Sequence, residues 1–186
     1  VYSNSPDNDL FQAYQKTAQE KGKAIFTLQN KLKSNPPPPD SVKIRSEIIS
    51  LNATMQQYRE DFIKAHPNHL LSAIFHLLQE PKVPDASLQP GGKYDSLFAY
   101  QYYKQHFWDG VSFTDERLVR TPVFEPKLQR YFSNVLQQHP DTLSKAANKI
   151  LDASISNKEM FKFILSALTE KYINPTYMGQ DAVFVN

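Results

Sequence analysis

Cysteine is absent from these 186 residues. Disulfides, thiolate metal sites and a cysteine nucleophile are therefore excluded within the chain. The redox compartment stays open, because a cysteine-free domain folds on either side of a membrane. No stretch approaches the ~18 consecutive apolar residues of a bilayer-crossing helix, so no transmembrane segment is expected. An excess of one charge is lacking too: 21 Lys and Arg face 19 Asp and Glu, and the basic residues are interspersed with acids. That balance supplies no electrostatic case for a nucleic-acid partner. Glycine is sparse, with five in the chain. The one pair, Gly91-Gly92, lacks the following Lys-Ser/Thr and the preceding strand of a phosphate-cradling loop. No Gly-x-Ser-x-Gly elbow sharpens a serine. No cofactor is implied by any of this.

Proline, by contrast, is plentiful and placed to punctuate. Asn35-Pro36-Pro37-Pro38-Pro39-Asp40 separates two helical patterns. Successive prolines lack donors and favour extended backbone, so a helix cannot run through them. Before the run, Ser5-Pro6-Asp7 reads as a helix start, with Ser5 as cap and acids at the positive end. Phe11, Ala18, Ile25 and Leu32 then recur every seventh residue, with Tyr14 and Leu28 between them and Lys21 breaking the stripe. Gly22 sits inside this pattern at a cost of about 1 kcal/mol against alanine, either to admit another backbone or simply to bend the helix. After the run, Ile44, Ile48, Leu51, Met55, Tyr58, Phe62 and Ala65 form a second, unbroken stripe. A short linker makes such helices antiparallel neighbours, each about 38 Å long at about 1.5 Å per residue. The hairpin core is thin, so these arms either belong to a bundle completed by the rest of the chain or project towards another domain.

A more compact helical region follows. His66-Pro67-Asn68 interrupts the second arm, and Leu70, Leu71, Ile74, Phe75, Leu77 and Leu78 form a short helix apolar on most of its circumference. The proline- and glycine-containing stretch 81–93 reads as a linker. Helices are expected over 94–107, after a Thr121-Pro122 start, over 141–153, and after Ser156-Asn157-Lys158-Glu159, a capping-box pattern. Asn174-Pro175 ends the last of these, and Met178 to Val185 is a short apolar segment, helix or strand. With no repeated strand-and-turn pattern, the fold class is all-α: a long antiparallel helical hairpin with a short third helix (1–80), a linker loop (81–93) and a compact multi-helix bundle (94–186).

Candidate chemistry is thin. His66, His69, His76, His106 and His139 bring no acidic ligand at helical spacing, so no metal site is expected. Asp61, Asp109, Asp115 and Glu116 have no spacing that specifies paired carboxylates. No catalytic residue is expected in this chain. The densest stretch runs from Tyr94 to Arg130, where aromatics alternate with arginines. Tyr102, Trp108, Arg117, Arg120 and Arg130 are its candidate interaction residues. The same composition also builds buried helix contacts with one polar atom satisfied, and Arg120 or Arg130 can pair with Glu125 or Asp115.

The run Phe107-Trp108-Asp109-Gly110-Val111-Ser112-Phe113-Thr114-Asp115-Glu116-Arg117-Leu118, continuing to Phe124, together with Leu128-Gln129-Arg130-Tyr131-Phe132, Lys171-Tyr172 and Met178 to Val185, resembles the helical domain family DUF5106. The resemblance covers about 94–185. In Bacteroidetes envelope proteins such a domain precedes a thioredoxin-like (AhpC/TSA or redoxin) domain, and the hairpin resembles the helical stretch after a DUF4369-like domain. The resemblance implies a periplasmic or outer-envelope location, free or as a lipoprotein. It also implies flanking thioredoxin-like partners, and a redox centre that lies outside this chain. The ends at Val1 and Asn186 are expected to be cuts from a longer polypeptide. The expectation is a non-catalytic accessory or interaction domain of a thiol–disulfide oxidoreductase with a protein client, monomeric or weakly dimeric. The alternative is an envelope glycan- or peptide-binding module or hydrolase using residues 94–130.

Overall fold

The computed structural model describes residues 6–173, and among them the secondary structure is entirely helical. There are seven α-helices: α1 (Pro6–Lys33), α2 (Pro38–Ala65), α3 (Leu70–Leu78), α4 (Ser96–His106), α5 (Phe124–Arg130), α6 (Pro140–Ser154) and α7 (Lys158–Ile173). Short 3-10 turns lie at Ala86–Leu88, Pro90–Gly92 and Glu116–Arg120. The expected Ser5 cap and the segment from Met178 to Val185 lie outside the described residues. The chain divides into two compact units, Val1–Ser72 and Ala73–Asn186.

In the first unit α1 and α2 pack side by side as the hairpin that the stripes imply. Each has 28 residues, about 42 Å at about 1.5 Å per residue. Leu28, Met55 and Phe62 are buried, Tyr14 stacks on Tyr58 at 6.0 Å, and the other stripe residues are half-buried, except Phe11 and Ala65, which are exposed. The turn is shorter than the proline run suggests. α1 ends at Lys33, and Asn35 adopts a left-handed φ of 51°, which its short polar side chain tolerates. Pro37 is extended, while Pro38 and Pro39 open α2. Proline suits a first helical turn, where its missing N–H would have had no partner. Two prolines expected in the linker thus belong to the second helix.

His66 closes α2, its backbone N–H donating to Phe62 O. The His69 ring Nδ1 accepts from Leu71 N at 3.0 Å, and Ser72 Oγ donates to His66 O at 2.6 Å, so the interruption at His66-Pro67-Asn68 is a capped corner. A Cβ at Gly22 would meet open space, so no close backbone approach explains this glycine.

The second unit has a dense core. Phe75, Phe107, Leu118, Phe124, Leu128, Phe132, Leu143, Met160 and Ile164 are all essentially inaccessible to solvent. α6 packs on α7, and α7 also packs on the Glu116–Arg120 turn. Residues 81–93, expected as a linker, lie wholly inside this unit. Buried Gln89 donates to Pro84 O at 2.7 Å and accepts from Asp95 N at 2.8 Å, tying the loop to the start of α4. Asp95 then caps α4 by accepting from Leu97 N and Phe98 N.

Two helix starts differ from expectation. Thr121 closes the Glu116–Arg120 turn, donating to Leu118 O, and α5 begins at Phe124 without a side-chain cap. Asn157, not Ser156, caps α7: its Oδ1 accepts from Met160 N at 2.9 Å while its amide reaches Thr114 O. Beyond α5 the helix widens into a π-turn, Tyr131–Val135, in which Leu136 N donates to Tyr131 O. The wider turn buries Tyr131, Phe132, Val135 and Leu136 together. Gln138 closes it by donating to the carbonyls of Phe132 and Leu136.

Candidate functional site

The chemistry-bearing side chains of the second unit converge on Lys127. Phe124, Lys127 and Leu128 on α5 share one helical face with Tyr131 of the following π-turn, and that face turns inward. A lysine therefore enters the core, where it is 5% exposed. Its Nζ donates to Leu77 O at 2.9 Å and to Gln79 O at 3.1 Å, meeting carbonyls that the end of α3 leaves open. It also lies 4.8 Å from the centroid of Phe107 and 5.7 Å from that of Trp108. Those ring faces attract a cation. Burial pushes the Lys127 ammonium down to about 8, partly countered by Glu80, while Arg130 adds to the lowering.

Glu80, just past α3, is the acidic partner. It accepts from Tyr103 Oη and from Arg130 Nη2, the latter at 2.5 Å. Partial burial alone would raise its carboxyl, but the bonds from Tyr103 and Arg130 outweigh that and hold it below the ordinary value. Tyr103, partly buried and bonded to this carboxylate, is pushed up to about 12. The Arg130 guanidinium sits 5.0 Å over the Phe107 ring.

Beside this network lies an open groove of about 350 Å³. Leu77, Leu78, Pro122, Val123 and Pro126 form its apolar walls, and Glu80, Lys127 and Arg130 supply its charges.

The five candidate residues are distributed unevenly around it. Arg130 lines the groove. Trp108 is packed into an aromatic cluster, with ring centroids 5.2 Å from Phe107, 5.1 Å from Phe113 and 5.4 Å from Tyr131. Its buried indole N–H has no acceptor among the described residues. Tyr102 lies against His106, centroids 4.1 Å apart. Arg117 holds Asp115 in a two-point fork, Nε at 2.8 Å and Nη2 at 2.7 Å, and that fork keeps the Asp115 carboxyl low. Arg120 is exposed, and Asp115 pairs with Arg117 in its place. Arg130 likewise pairs with Glu80 and not with Glu125 or Asp115.

Lys127, Glu80 and Tyr103 were missed as a group. Lys127 had a signal, since it falls on the apolar spacing of its helix. Glu80 had none, lying 50 residues from its arginine.

The histidines serve local geometry. His76 Nδ1 faces Gln79 Oε1 at 3.3 Å. Gly110, at φ 74°, packs so closely on the His76 ring that a Cβ there would lie 2.1 Å from Nδ1. His106 Nδ1 meets Asp109 Oδ2 at 2.6 Å. Among the described residues no three His, Cys, Asp or Glu side chains converge as metal ligands. No helix of the described residues is long and apolar enough to cross a membrane.

Fold and site together define an all-helical domain whose aromatic core is closed by a buried lysine beside an apolar groove. Residues 50–185 match the family described as Domain of unknown function (DUF5106), and the chain belongs to that family. The matched region begins inside α2, so it reaches well before residue 94, where the resemblance was read to start. No curated protein and no solved structure matches the chain.

Proposed function

We propose that this chain is a non-catalytic helical accessory domain of a cell-envelope thiol–disulfide oxidoreductase, which presents protein clients to a redox centre in a neighbouring thioredoxin-like domain. The absence of cysteine requires any thiol chemistry to come from outside these residues. Membership of the DUF5106 family, and the resemblance of 107–124 to domains set before redoxin modules, support the neighbour. The observation that carries the interaction role is the groove. Trp108, Lys127, Arg117 and Tyr103 are occupied in holding the fold, while the apolar walls at Leu78, Pro122 and Pro126 stay open to a partner.

The test uses the natural reading frame with and without residues 1–186. Turnover is measured on a disulfide-bonded protein client and on a small aromatic disulfide. Removing the domain should depress turnover on the protein client and leave the small disulfide untouched. A reading frame without a cysteine-pair domain, or equal loss on both substrates, overturns the reading. The location is the periplasm or outer envelope, and sedimentation should give a monomer or weak dimer.

The groove also favours the peptide-binding form of the alternative reading, a module that holds envelope peptides without a redox neighbour. Peptide binding by the isolated chain, combined with a reading frame lacking a redox domain, selects it.

A further inference from the structure

We infer that the groove takes an extended apolar peptide segment bearing one acidic side chain, whose carboxylate is received by Arg130. This rests on reading the chain as an interaction domain and adds the chemistry of what it binds.

The walls set the first half of that chemistry. Leu78, Val123 and two prolines offer aliphatic surface, and the prolines present no N–H. A bound segment therefore gains little by adding itself as a strand, a mode that needs a row of free backbone donors and acceptors. Recognition must come from side chains entering the groove. A volume of about 350 Å³ holds a few aliphatic side chains and lies near the lower end of the ~300–1,000 Å³ typical of small-molecule pockets.

The charges set the second half. Two cations, Lys127 and Arg130, and one anion, Glu80, line the groove. Lys127 already donates to two carbonyls, so it contributes field more than a free donor. Arg130 uses Nη2 on Glu80, and its other N–H groups have no acceptor among the described residues. The guanidinium is also held in place, by Glu80 on one edge and by the Phe107 ring beneath. A fixed guanidinium with spare donors is suited to two-point binding of a carboxylate. Glu80 opposes an incoming acid but is itself engaged by Tyr103 and Arg130, and the excess of positive charge lies with the groove. A basic segment would meet Arg130 and the field of the buried Lys127.

The test measures fluorescence polarisation of amide-capped peptides that share one apolar sequence and carry Glu, Gln or Lys at the centre. The Glu peptide should bind roughly tenfold or more tightly than the Lys peptide, as a charge-assisted hydrogen bond implies. Its affinity should fall with added salt. Arg130→Glu should reverse the preference. Because Arg130 is exposed, that variant should keep its helix content. Should it not, Leu78→Trp, which fills the groove from an exposed wall position without adding charge, should abolish binding of all three peptides. Equal binding of Glu and Gln peptides, binding unaffected by Leu78→Trp, or no binding at all overturns the inference. A parent enzyme that needs the domain for protein clients but shows no preference for acidic peptides would sink this inference and leave the proposed function standing. The opposite pattern would do the reverse.

Discussion

The hairpin and the compact unit use apolar residues in different ways. In α1 and α2 the apolar positions recur with clean heptad spacing, yet Leu28, Met55 and Phe62 are the only members of these stripes that become buried. In the second unit the spacing is less regular, and nine large side chains are sealed almost completely. Periodicity states which face of a helix points inward. Depth of burial depends on how many elements cover that face, and two helices cover each other on one side only. Regular pattern and stabilising core are therefore separate properties, and this chain has most of the first in one unit and most of the second in the other.

The comparison breaks most visibly at Phe132. Phe132 is fully enclosed, so Phe132→Ala opens a cavity, and urea unfolding should show a loss of about 3–5 kcal/mol. A loss under 1 kcal/mol would mean that the second unit is no better packed than the hairpin.

Lys127 sharpens the contrast through pH. Its ammonium titrates near 8 in the folded chain against 10.5 ordinarily, so between these values the unfolded chain binds more protons. Stability should therefore rise as pH increases through that window, by on the order of 2–3 kcal/mol. Tyr103, held protonated to about 12, works the other way, but only above its ordinary 10.0. Urea midpoints of the wild type and Lys127→Met should diverge between pH 8 and 10, the wild type rising more steeply than the variant. A wild type that only parallels the variant would show that the ammonium is hydrated in solution.

Leu28→Ala should cost about 2 kcal/mol, the low end for such a change, since its half-exposed neighbours can relax or admit water. The measurement is again urea unfolding, and a cost equal to that of Phe132→Ala would erase the distinction between the units. The smallest effect has the opposite sign. Gly22→Ala meets open space and should stabilise α1 by about 1 kcal/mol, read as slower amide exchange around residue 22. A destabilised variant would show that the helix needs its glycine.

Much of this architecture was legible before any coordinates. The stripes at Ile44 to Phe62 and the apolar run at Leu70 to Leu78 mark their helices because side-chain direction in a helix repeats every ~3.6 residues. Caps were legible only approximately. Ser156 and Asn157 are both competent caps for α7 and Thr121 for α5, yet Asn157 accepts from Met160 N and Thr121 instead closes the turn before α5. The groove was less legible still. The aromatic and arginine density at 94–130 included Arg130 but neither the groove walls at 77–80 nor the roles of its neighbours, since Trp108 goes into the cluster and Arg117 holds its own turn.

By itself the sequence determined the helices, their corners and the exclusion of thiol chemistry, because each follows from local sterics, spacing or the presence of an atom type. Only the tertiary structure decided that a lysine on an apolar helical face closes the end of α3, and that Glu80 fixes Arg130 beside an open wall. Those outcomes depend on groups some fifty residues apart in the chain meeting in space. No local pattern carries that distance.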